Sequence, residues 1–203
     1  MIKNVIFDFG NVIGEWNEDK IAANYAENNE EKEILKKVIF KSDEWLKLDS
    51  GVLTYQEAIP TFKEKLPDNL KEKVEEIMST WREKMSINKD ICGLIKRLKE
   101  HDYKVYLLSN AHVPMYEYVK NLEIGKCFDG ILISAIEKMM KPNEEIYYRL
   151  FEMFGLLPEE CFFIDDNEKN IISSRKCGMN GHIFDMNDFQ SLLDDMKKNG
   201  VEI

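Results

Sequence analysis

Residues 5–11 read Val-Ile-Phe-Asp-Phe-Gly-Asn, and this stretch decides the predicted fold. Its first three residues are apolar and favour β-structure, whereas Gly10 and Asn11 are typical strand breakers. An apolar run without polar alternation is typical of a strand that is buried on both faces of a parallel sheet. We therefore predict a first strand that ends near Asp8, which places the Asp8 carboxylate at the carboxyl end of that strand.

Four later segments have the same apolar, strand-like character, at residues 104–108, 128–133, 161–164 and 182–184. Amphipathic helices are predicted between and after these strands, at residues 89–100, 114–122, 144–154 and 187–199. Strands that alternate with helices of this length indicate parallel βαβ units. The predicted fold class is α/β, with a doubly wound parallel sheet.

The segment between the first and second strands breaks this alternation. Residues 15–88, here called the helical segment, are rich in Glu, Lys and Leu and contain four or five predicted helices with joints near Gly51 and Pro67. A chain of 203 residues is long enough for one domain that carries a smaller inserted one. We predict that residues 1–14 and 89–203 form the sheet core and that the helical segment forms an inserted all-helical subdomain.

The helical segment carries aromatic residues near its joint at Gly51. Trp45 and Tyr55 would either face the edge of the sheet and contact a substrate or pack between helices, and the second interpretation is favoured. Trp16 and Trp81 lie near the two ends of the segment and would equally suit a core.

The charge and the cysteine content narrow the classes of function. Lys and Arg total 28 against 38 Asp and Glu, a formal charge of −10 that disfavours binding to nucleic acids or to anionic membranes. The four cysteines form no CxxC pair, and neither a signal peptide nor a membrane-spanning apolar run is visible. These features predict a cytoplasmic protein with reduced thiols. We expect a monomer or a weak homodimer that binds a small metabolite.

Polar side chains follow several of the predicted strands, and ligands of open parallel sheets bind at the carboxyl ends of strands. Asp165 and Asp166 are the most informative, because adjacent carboxylates after an apolar strand repel each other unless a cation neutralises them. Taken singly, the others have ordinary explanations as helix caps or turns. We expect one edge of the sheet to collect six residues: Asp8, Ser109, Asn110, Lys141, Asp165 and Asp166.

This set of side chains is suited to phosphoryl transfer. Carboxylate oxygens and water form the hard, octahedral oxygen site that Mg²⁺ prefers. The cation would offset the repulsion between a phosphate and the anionic nucleophile Asp8, while Lys141 and the Ser109 hydroxyl bind phosphate oxygens. Attack by Asp8 would form an aspartyl-phosphate intermediate and divide the hydrolysis into two displacements. The sequence thus predicts a Mg²⁺-dependent phosphatase that acts on a small phosphorylated metabolite.

Four segments resemble the four motifs of the haloacid dehalogenase superfamily, in that family's order: 6–13 (IFDFGNVI), 107–110 (LLSN), 141–142 (KP) and 163–167 (FIDDN). The resemblance covers essentially the whole chain. It implies a Rossmann-like core and a C1-type cap, formed by the helical segment, that closes over the substrate. It also implies catalytic roles for Asp8, Ser109 and Lys141, a phosphate site at Ser109, Asn110 and Lys141, and a Mg²⁺ site at Asp8, the Gly10 carbonyl, Asp165 and Asp166.

Residues 8–12 are similar to a bacterial subgroup that includes a glucose-1-phosphate phosphatase, which favours a sugar phosphate as the substrate. Most phosphatases of the superfamily have a second Asp two positions after the nucleophile as general acid and base, but this sequence has Gly10. Glycine keeps the backbone carbonyl and supplies no proton. His112, Glu15 or Asp49 would then supply the proton, unless the leaving group needs little help.

Two other interpretations stay open at this point. A haloacid dehalogenase also uses an Asp nucleophile without the second Asp, but it needs no metal and has no use for the pair Asp165 and Asp166. A catalytically weak, ligand-binding relic would explain Gly10 but would have no need of Asp8, Lys141 and Asp166 together. Chloride release in the presence of a chelator would favour the dehalogenase, and tight metabolite binding without turnover would favour the relic.

Overall fold

The computed structural model describes residues 1–202 and contains a five-stranded parallel sheet. The strands are β1 (Asn4–Phe7), β2 (Lys104–Ser109), β3 (Gly130–Ile133), β4 (Cys161–Asp165) and β5 (Asn180–Ile183). Their order is β3-β2-β1-β4-β5, and every neighbouring pair is parallel. The chain winds from β1 first to one side and then to the other, which confirms the predicted α/β, Rossmann-like, doubly wound sheet.

The helical segment lies between β1 and β2 in the sequence. Its α-helices are α1 (Glu18–Ala23), α2 (Asn29–Leu35), α3 (Asp43–Asp49), α4 (Tyr55–Lys65), α5 (Asp68–Lys71) and α6 (Lys73–Thr80), with a π-helical turn at Lys36–Phe40 and a 3-10 turn at Trp81–Lys84. The two ends of the segment lie side by side, because Glu15 N donates to Ser86 O at 2.9 Å and Asn88 N donates to Ile13 O at 2.8 Å. Such paired ends are what an insertion requires, and the division of the chain at residues 15 and 88 stays a prediction.

The remaining helices connect the strands and cover the sheet. They are α7 (Lys89–Glu100), α8 (Met115–Asn121), α9 (Ser134–Glu137), α10 (Glu144–Phe154), α11 (Glu168–Lys176) and α12 (Phe189–Lys198). The predicted bounds of α7 and α10 are confirmed, and Gly155 ends α10 with a φ of +65°. None of the helices in residues 1–202 has the length and apolar character needed to span a bilayer.

The fifth strand begins two residues earlier than predicted. Its bounds are Asn180–Ile183 instead of 182–184, and Gly181 is aligned with Phe163 of β4. A Cβ atom at Gly181 would lie 3.1 Å from the carbonyl oxygen of Phe163 and 3.3 Å from Ile171 of α11. The glycine permits this close approach of strand and helix, whereas its propensity alone predicts a break.

The predicted burial of β1 on both faces is confirmed. Val5 and Phe7 belong to an apolar cluster that includes residues of α7 and the helical segment, while Ile6 belongs to a second cluster with α10. Phe7, the last residue of β1, is aligned with Leu107 of β2 and with Ile164 of β4, so the three strands end within two residues of one another along the sheet. The winding direction changes between β1 and β4, where open α/β sheets bind ligands.

Candidate active site

Asp8 directly follows β1 at this change of winding direction. Its backbone N–H donates to Ile164 O at 2.9 Å, which continues the pairing with β4. Its carboxylate oxygen Oδ1 accepts a hydrogen bond from Phe9 N at 2.7 Å and lies 2.8 Å from Nζ of Lys141. Asp8 is therefore fixed by its own loop and by one cation.

Lys141 has a fully buried side chain whose ammonium group contacts three oxygen atoms. Nζ lies 2.8 Å from Asp8 Oδ1 and 2.7 Å from Asp165 Oδ2, and it donates to Leu108 O at 2.9 Å. Burial lowers the pKa of Lys141, but Asp165 and Asp8 raise it by more, so that the pKa lies above its ordinary value. The three donors of the ammonium group are thus used, and the group stays charged.

Asn110 holds the backbone of Lys141 at two points. The amide oxygen of Asn110 accepts from Lys141 N at 2.9 Å, and its amide nitrogen donates to Lys141 O at 2.8 Å. The side chain thereby ties the loop after β3 to the end of β2. The structure brings Asn110 to the predicted edge and shows it bound to Lys141, while its predicted contact with a substrate stays a prediction.

Asp165 and Asp166 have different environments although they are adjacent. Asp165 is wholly buried, and its two oxygens accept from Lys141, from Asn170 Nδ2 at 2.9 and 3.0 Å, and from Asn167 N at 2.8 Å. Asp166 is exposed and accepts from Asn11 Nδ2 at 3.0 Å. The buried carboxylate is therefore saturated with donors, and the exposed one is accessible.

Three carboxylates form an acidic cluster at this edge. Asp8, Asp165 and Asp166 each offer an oxygen, and these oxygens lie within 4.8 Å of one another. Burial raises the pKa of Asp8 well above its ordinary value, although Lys141 opposes the shift, and desolvation also raises the pKa of Asp166. This set of hard oxygen donors fits a divalent cation such as Mg²⁺, which would relieve the uncompensated negative charge.

A cavity of about 260 Å³ lies above the cluster. Its polar wall comes from the strand ends and its other wall mainly from the helical segment. The strand-end residues that line it are Asp8, Gly10, Asn11, Ser109, Asn110 and Asp166, so five predicted site residues reach it. Lys141 and Asp165 lie beneath this surface, where they contact Asp8 or each other. All predicted site residues are therefore brought together, in two layers.

The family model of haloacid dehalogenase-like hydrolases matches residues 2–178 of the chain. The chain belongs to this family. The four motifs that the match includes are the segments that build the cavity and the acidic cluster. The finer resemblance to the glucose-1-phosphate phosphatase subgroup stays a prediction.

Among relatives of known function, a sesquiterpene phosphatase (astK) from Aspergillus oryzae is 32% identical over 95 residues, which is 46% of this chain and 48% of that protein. The chain thus spans about half the length of that relative. A phosphorylated carbohydrates phosphatase from Thermotoga maritima is 24% identical over 149 residues, or 68% of this chain and 69% of that protein. Both relatives are phosphatases by name.

A solved structure of a haloacid dehalogenase family enzyme from Bacteroides thetaiotaomicron contains magnesium and inorganic phosphate. It matches this structure with a TM-score of 0.72 and 25% sequence identity, over 95% of this chain and 99% of that one. The similarity extends over nearly the full length of both chains, so it includes the helical segment as well as the sheet.

The apolar wall of the cavity was not predicted from the sequence. It is formed by Trp16, Phe40, Trp45, Trp81 and Met85, and the ring centroids of Trp45 and Trp81 are 5.0 Å apart. Trp45 packs among aromatic rings of the segment, as the favoured interpretation predicts, and it also lines the cavity, while its contact with a substrate stays a prediction. Phe40 and Met85 carry no sequence signal for this position, because only the packing of the helices brings them to the sheet edge.

Asp49 is the carboxylate that the helical segment contributes to the lining of the cavity. It ends α3, lines the same cavity as Asp8, and its carbonyl oxygen accepts from Ser134 Oγ at 2.5 Å. Its Oδ1 lies 3.1 Å from Nε2 of His112. Burial, followed by the charge of Asp8, raises the pKa of Asp49 well above its ordinary value.

Proposed function

We propose that this chain is a Mg²⁺-dependent phosphomonoester hydrolase that acts on a small phosphorylated metabolite, with a sugar phosphate favoured. Hydrolysis would proceed through an aspartyl-phosphate intermediate on Asp8. One observation carries the proposal: the Asp8 carboxylate lies 2.8 Å from the Lys141 ammonium and in a cluster with Asp165 and Asp166, at a cavity. This arrangement supplies a nucleophile, a fixed positive charge and ligands for a cation at one point.

Mg²⁺ would be held by Asp8, Asp166 and the backbone carbonyl of Gly10. Asp166 and Gly10 line the cavity, whereas Asp165 is buried and its oxygens already accept from Lys141 and Asn170. We therefore assign Asp165 to the positioning of Lys141 and Asp166 to direct contact with the cation. When bound, Mg²⁺ would offset the negative charge of the phosphate and of the nucleophile.

The chain's own residues would carry the two displacements. Because Oδ1 of Asp8 is held by Phe9 N and Lys141, we assign attack on phosphorus to Oδ2. Lys141 would stabilise negative charge that develops on the phosphoryl group, and Ser109, which lines the cavity, would bind a phosphate oxygen. Water then attacks the phosphorus of the intermediate, releases inorganic phosphate and restores the Asp8 carboxylate.

The walls of the cavity suit a small ester with a polar end and an apolar face. Carboxylates and Ser109 line one side, and tryptophan rings line the other, where the C–H face of a sugar or a short apolar chain would pack. The volume of about 260 Å³ suits a small ester. We also propose that residues 15–88 act as a cap, because their aromatic side chains complete the cavity.

The relatives support the phosphatase chemistry and leave the substrate as a proposal. Two of the relatives named for their activity are a sesquiterpene phosphatase and a phosphorylated carbohydrates phosphatase, whose substrates differ in polarity. The solved structure with magnesium and inorganic phosphate contains the cation and the product of the proposed reaction. A small phosphate monoester is what these proteins share.

The test is a screen for phosphate release across sugar phosphates, nucleotides and phosphorylated cofactors, with Mg²⁺ and with a chelator. We expect release that requires Mg²⁺ and is lost in Asp8→Asn but kept in Asp90→Asn, which changes an exposed carboxylate at the start of α7. Chloride release from a haloacid in chelator would instead identify a dehalogenase. Metabolite binding with no phosphate release would contradict the proposed function.

A further inference from the structure

The proposed reaction requires a proton for the leaving oxygen, and position 10 has no side chain to supply it. The structure leaves room for a side chain at position 10, because a Cβ atom at Gly10 would have only Trp16 Cβ as a neighbour, at 4.0 Å. The residue that protonates the leaving group must line the cavity. Apart from Asp8 and Asp166, the one carboxylate among the lining residues that the structure describes is Asp49.

Two other groups suggested by the sequence do not meet this condition. Glu15 forms an ion pair with Lys20 at 2.5 Å and does not line the cavity. His112 is 1% exposed and also lies outside the lining. Burial, with a smaller contribution from the charge of Arg82, lowers the pKa of His112 to about 3, so its imidazole is neutral near pH 7. Neither residue is placed to donate a proton.

Asp49 is held at the cavity by contacts that cross from the helical segment to the core. Its carbonyl oxygen accepts from Ser134 Oγ, and the same hydroxyl lies 2.9 Å from Ala111 N, which donates to it. Its carboxylate Oδ1 lies 3.1 Å from His112 Nε2, and the side chain is 18% exposed. The end of α3 is therefore fixed to the loops that follow β2 and β3.

The hydrogen bonds behind His112 determine which of its nitrogens carries the hydrogen. The hydroxyl of Tyr55 accepts from Trp81 Nε1 at 3.2 Å and from Arg82 Nη1 at 3.0 Å, so its own proton is directed to His112 Nδ1 at 3.0 Å. A neutral imidazole that accepts at Nδ1 carries its hydrogen on Nε2. Nε2 has no hydrogen bond of good geometry to any described residue. Asp49 Oδ1 lies 3.1 Å from it, and the backbone of Trp45 also interacts with the ring.

We propose that Asp49 is the general acid and base of this enzyme and replaces the carboxylate that is missing at Gly10, with His112 as its positioning residue. The inference rests on the proposed function, because it concerns the proton of the same reaction. Nε2 of His112 lies 3.1 Å from Oδ1 of Asp49, and we assign the acidic proton to Oδ2, the other carboxylate oxygen. Asp49 suits this role since burial raises its pKa, and a raised pKa keeps the proton in place near neutral pH.

Asp49 gives up one proton in the first step and regains one in the second, so it ends the cycle in its starting state. In the first step, an Asp8 oxygen forms a bond to phosphorus, the bond from phosphorus to the leaving oxygen breaks, and the proton of Asp49 passes to that oxygen to give a neutral alcohol. In the second step, the Asp49 carboxylate takes a proton from the attacking water as the water oxygen bonds to phosphorus. The bond between phosphorus and Asp8 breaks, inorganic phosphate leaves, and Asp49 is protonated again.

The experiment measures kcat/KM of the Mg²⁺-loaded protein on a series of aryl phosphates and on an alkyl phosphate, because kcat/KM reports the first displacement and excludes the second step that all esters share. Aryl oxides with electron-withdrawing groups leave without a proton, whereas an alkoxide does not. For Asp49→Asn we expect a loss of about 100-fold or more on the alkyl ester, less than about 10-fold on p-nitrophenyl phosphate, and a steeper dependence on the leaving group. The matched control is Asp43→Asn, an exposed carboxylate at the start of the same helix, with kcat/KM unchanged.

Further variants separate a chemical role from a structural one. We expect Asp49→Glu to recover part of the alkyl-ester activity, and a near-wild-type thermal melt of each variant shows that it is folded. Equal losses of kcat/KM on all esters would mean that Asp49 has only a structural role, and full alkyl-ester activity in Asp49→Asn would exclude it as the acid. If the wild-type protein releases phosphate from none of the esters, the proposed phosphatase function is wrong, and the assignment of Asp49 is wrong with it.

Discussion

Nζ of Lys141 lies 2.8 Å from Oδ1 of Asp8, and both side chains are almost completely removed from solvent. The same ammonium group lies 2.7 Å from Asp165, so one buried cation stands between two buried carboxylates. Attraction between the ammonium group and the two carboxylates offsets part of the free-energy cost of burying these charges. The arrangement therefore links the stability of the fold to the chemistry of the site, which makes substitutions here informative.

Lys141→Met is expected to destabilise the fold as well as to abolish turnover. The substitution leaves Asp8 and Asp165 buried without their cation, and removal of one partner of a buried ion pair typically costs about 3–5 kcal/mol. The urea midpoint measured without metal reports the effect. Lys197→Met, at an exposed lysine in the last turn of α12, is the control and should leave the midpoint unchanged. Equal midpoints for the two variants would show that the buried pair adds nothing to stability.

Asp166→Asn and Asp165→Asn are expected to have opposite effects on stability and on metal binding. Asp166 is exposed to the cavity, so Asp166→Asn should keep the melting temperature of the metal-free protein but lose most of the increase that Mg²⁺ produces. Asp165→Asn should lower the metal-free melting temperature, because Lys141 and Asn170 lose a charged partner. Thermal melts across a Mg²⁺ titration measure both quantities. A Mg²⁺-induced increase that Asp165→Asn loses and Asp166→Asn keeps would reverse the assignment.

The strand-end residues of the site could be predicted because their positions follow from local sequence. An apolar run such as that before Asp8 specifies a buried strand, and parallel strands bring their carboxyl ends to one edge. This reasoning placed Asp8 and Asp166 correctly without any knowledge of the helices. The same reasoning placed the start of β5 two residues too late, because glycine has a low strand propensity. Gly181 nevertheless lies in β5, where the lack of a side chain permits the close approach of Phe163.

The contribution of the helical segment could not be predicted in the same way. Phe40 and Met85 line the cavity only because several short helices pack in one arrangement, and no local pattern encodes that arrangement. Asp49 was one of three candidates for the proton donor on sequence grounds. The choice among them depends on distances across the interface between the segment and the sheet, such as the 3.1 Å between Asp49 and His112.

His112 should make the stability of the fold depend on pH between about 6.5 and 3, because burial and the charge of Arg82 lower its pKa from 6.5 to about 3. A lowered histidine pKa means that the unfolded chain binds a proton in this range while the folded protein does not. Stability is therefore complete above about pH 6.5 and is lost as the pH falls, by about 1.4 kcal/mol per pH unit.

The measurement compares the free energy of unfolding at pH 7 and pH 5 in the wild type and in His112→Gln. The wild type should lose about 2 kcal/mol more than the variant over this interval. His101→Gln, at an exposed histidine just after α7, serves as the control and should follow the wild type. Parallel pH profiles for the wild type and His112→Gln would mean that folding does not lower the pKa of His112.

Gly51→Ala is expected to disturb both stability and catalysis, because Gly51 is where the joint after α3 touches the core. Its φ is +69°, and a Cβ atom there would lie 2.2 Å from the carbonyl oxygen of Ala135, a backbone atom that cannot rotate away. Gly155 has a similar φ of +65°, but nothing lies within 4 Å of its Cβ position. Gly155→Ala should therefore cost only the strain of the left-handed backbone, about 1–2 kcal/mol.

The difference between the two glycine variants isolates the contact with Ala135. We expect Gly51→Ala to unfold at a clearly lower urea concentration than Gly155→Ala, since α3 must move away from α9 to accommodate the methyl group. That movement would also displace Asp49, two residues earlier, from its position beside the cavity. Turnover of an alkyl phosphate should then fall in Gly51→Ala and stay near the wild-type value in Gly155→Ala. Similar midpoints and similar turnover in the two variants would show that the loop at Gly51 accommodates the methyl group without moving Asp49.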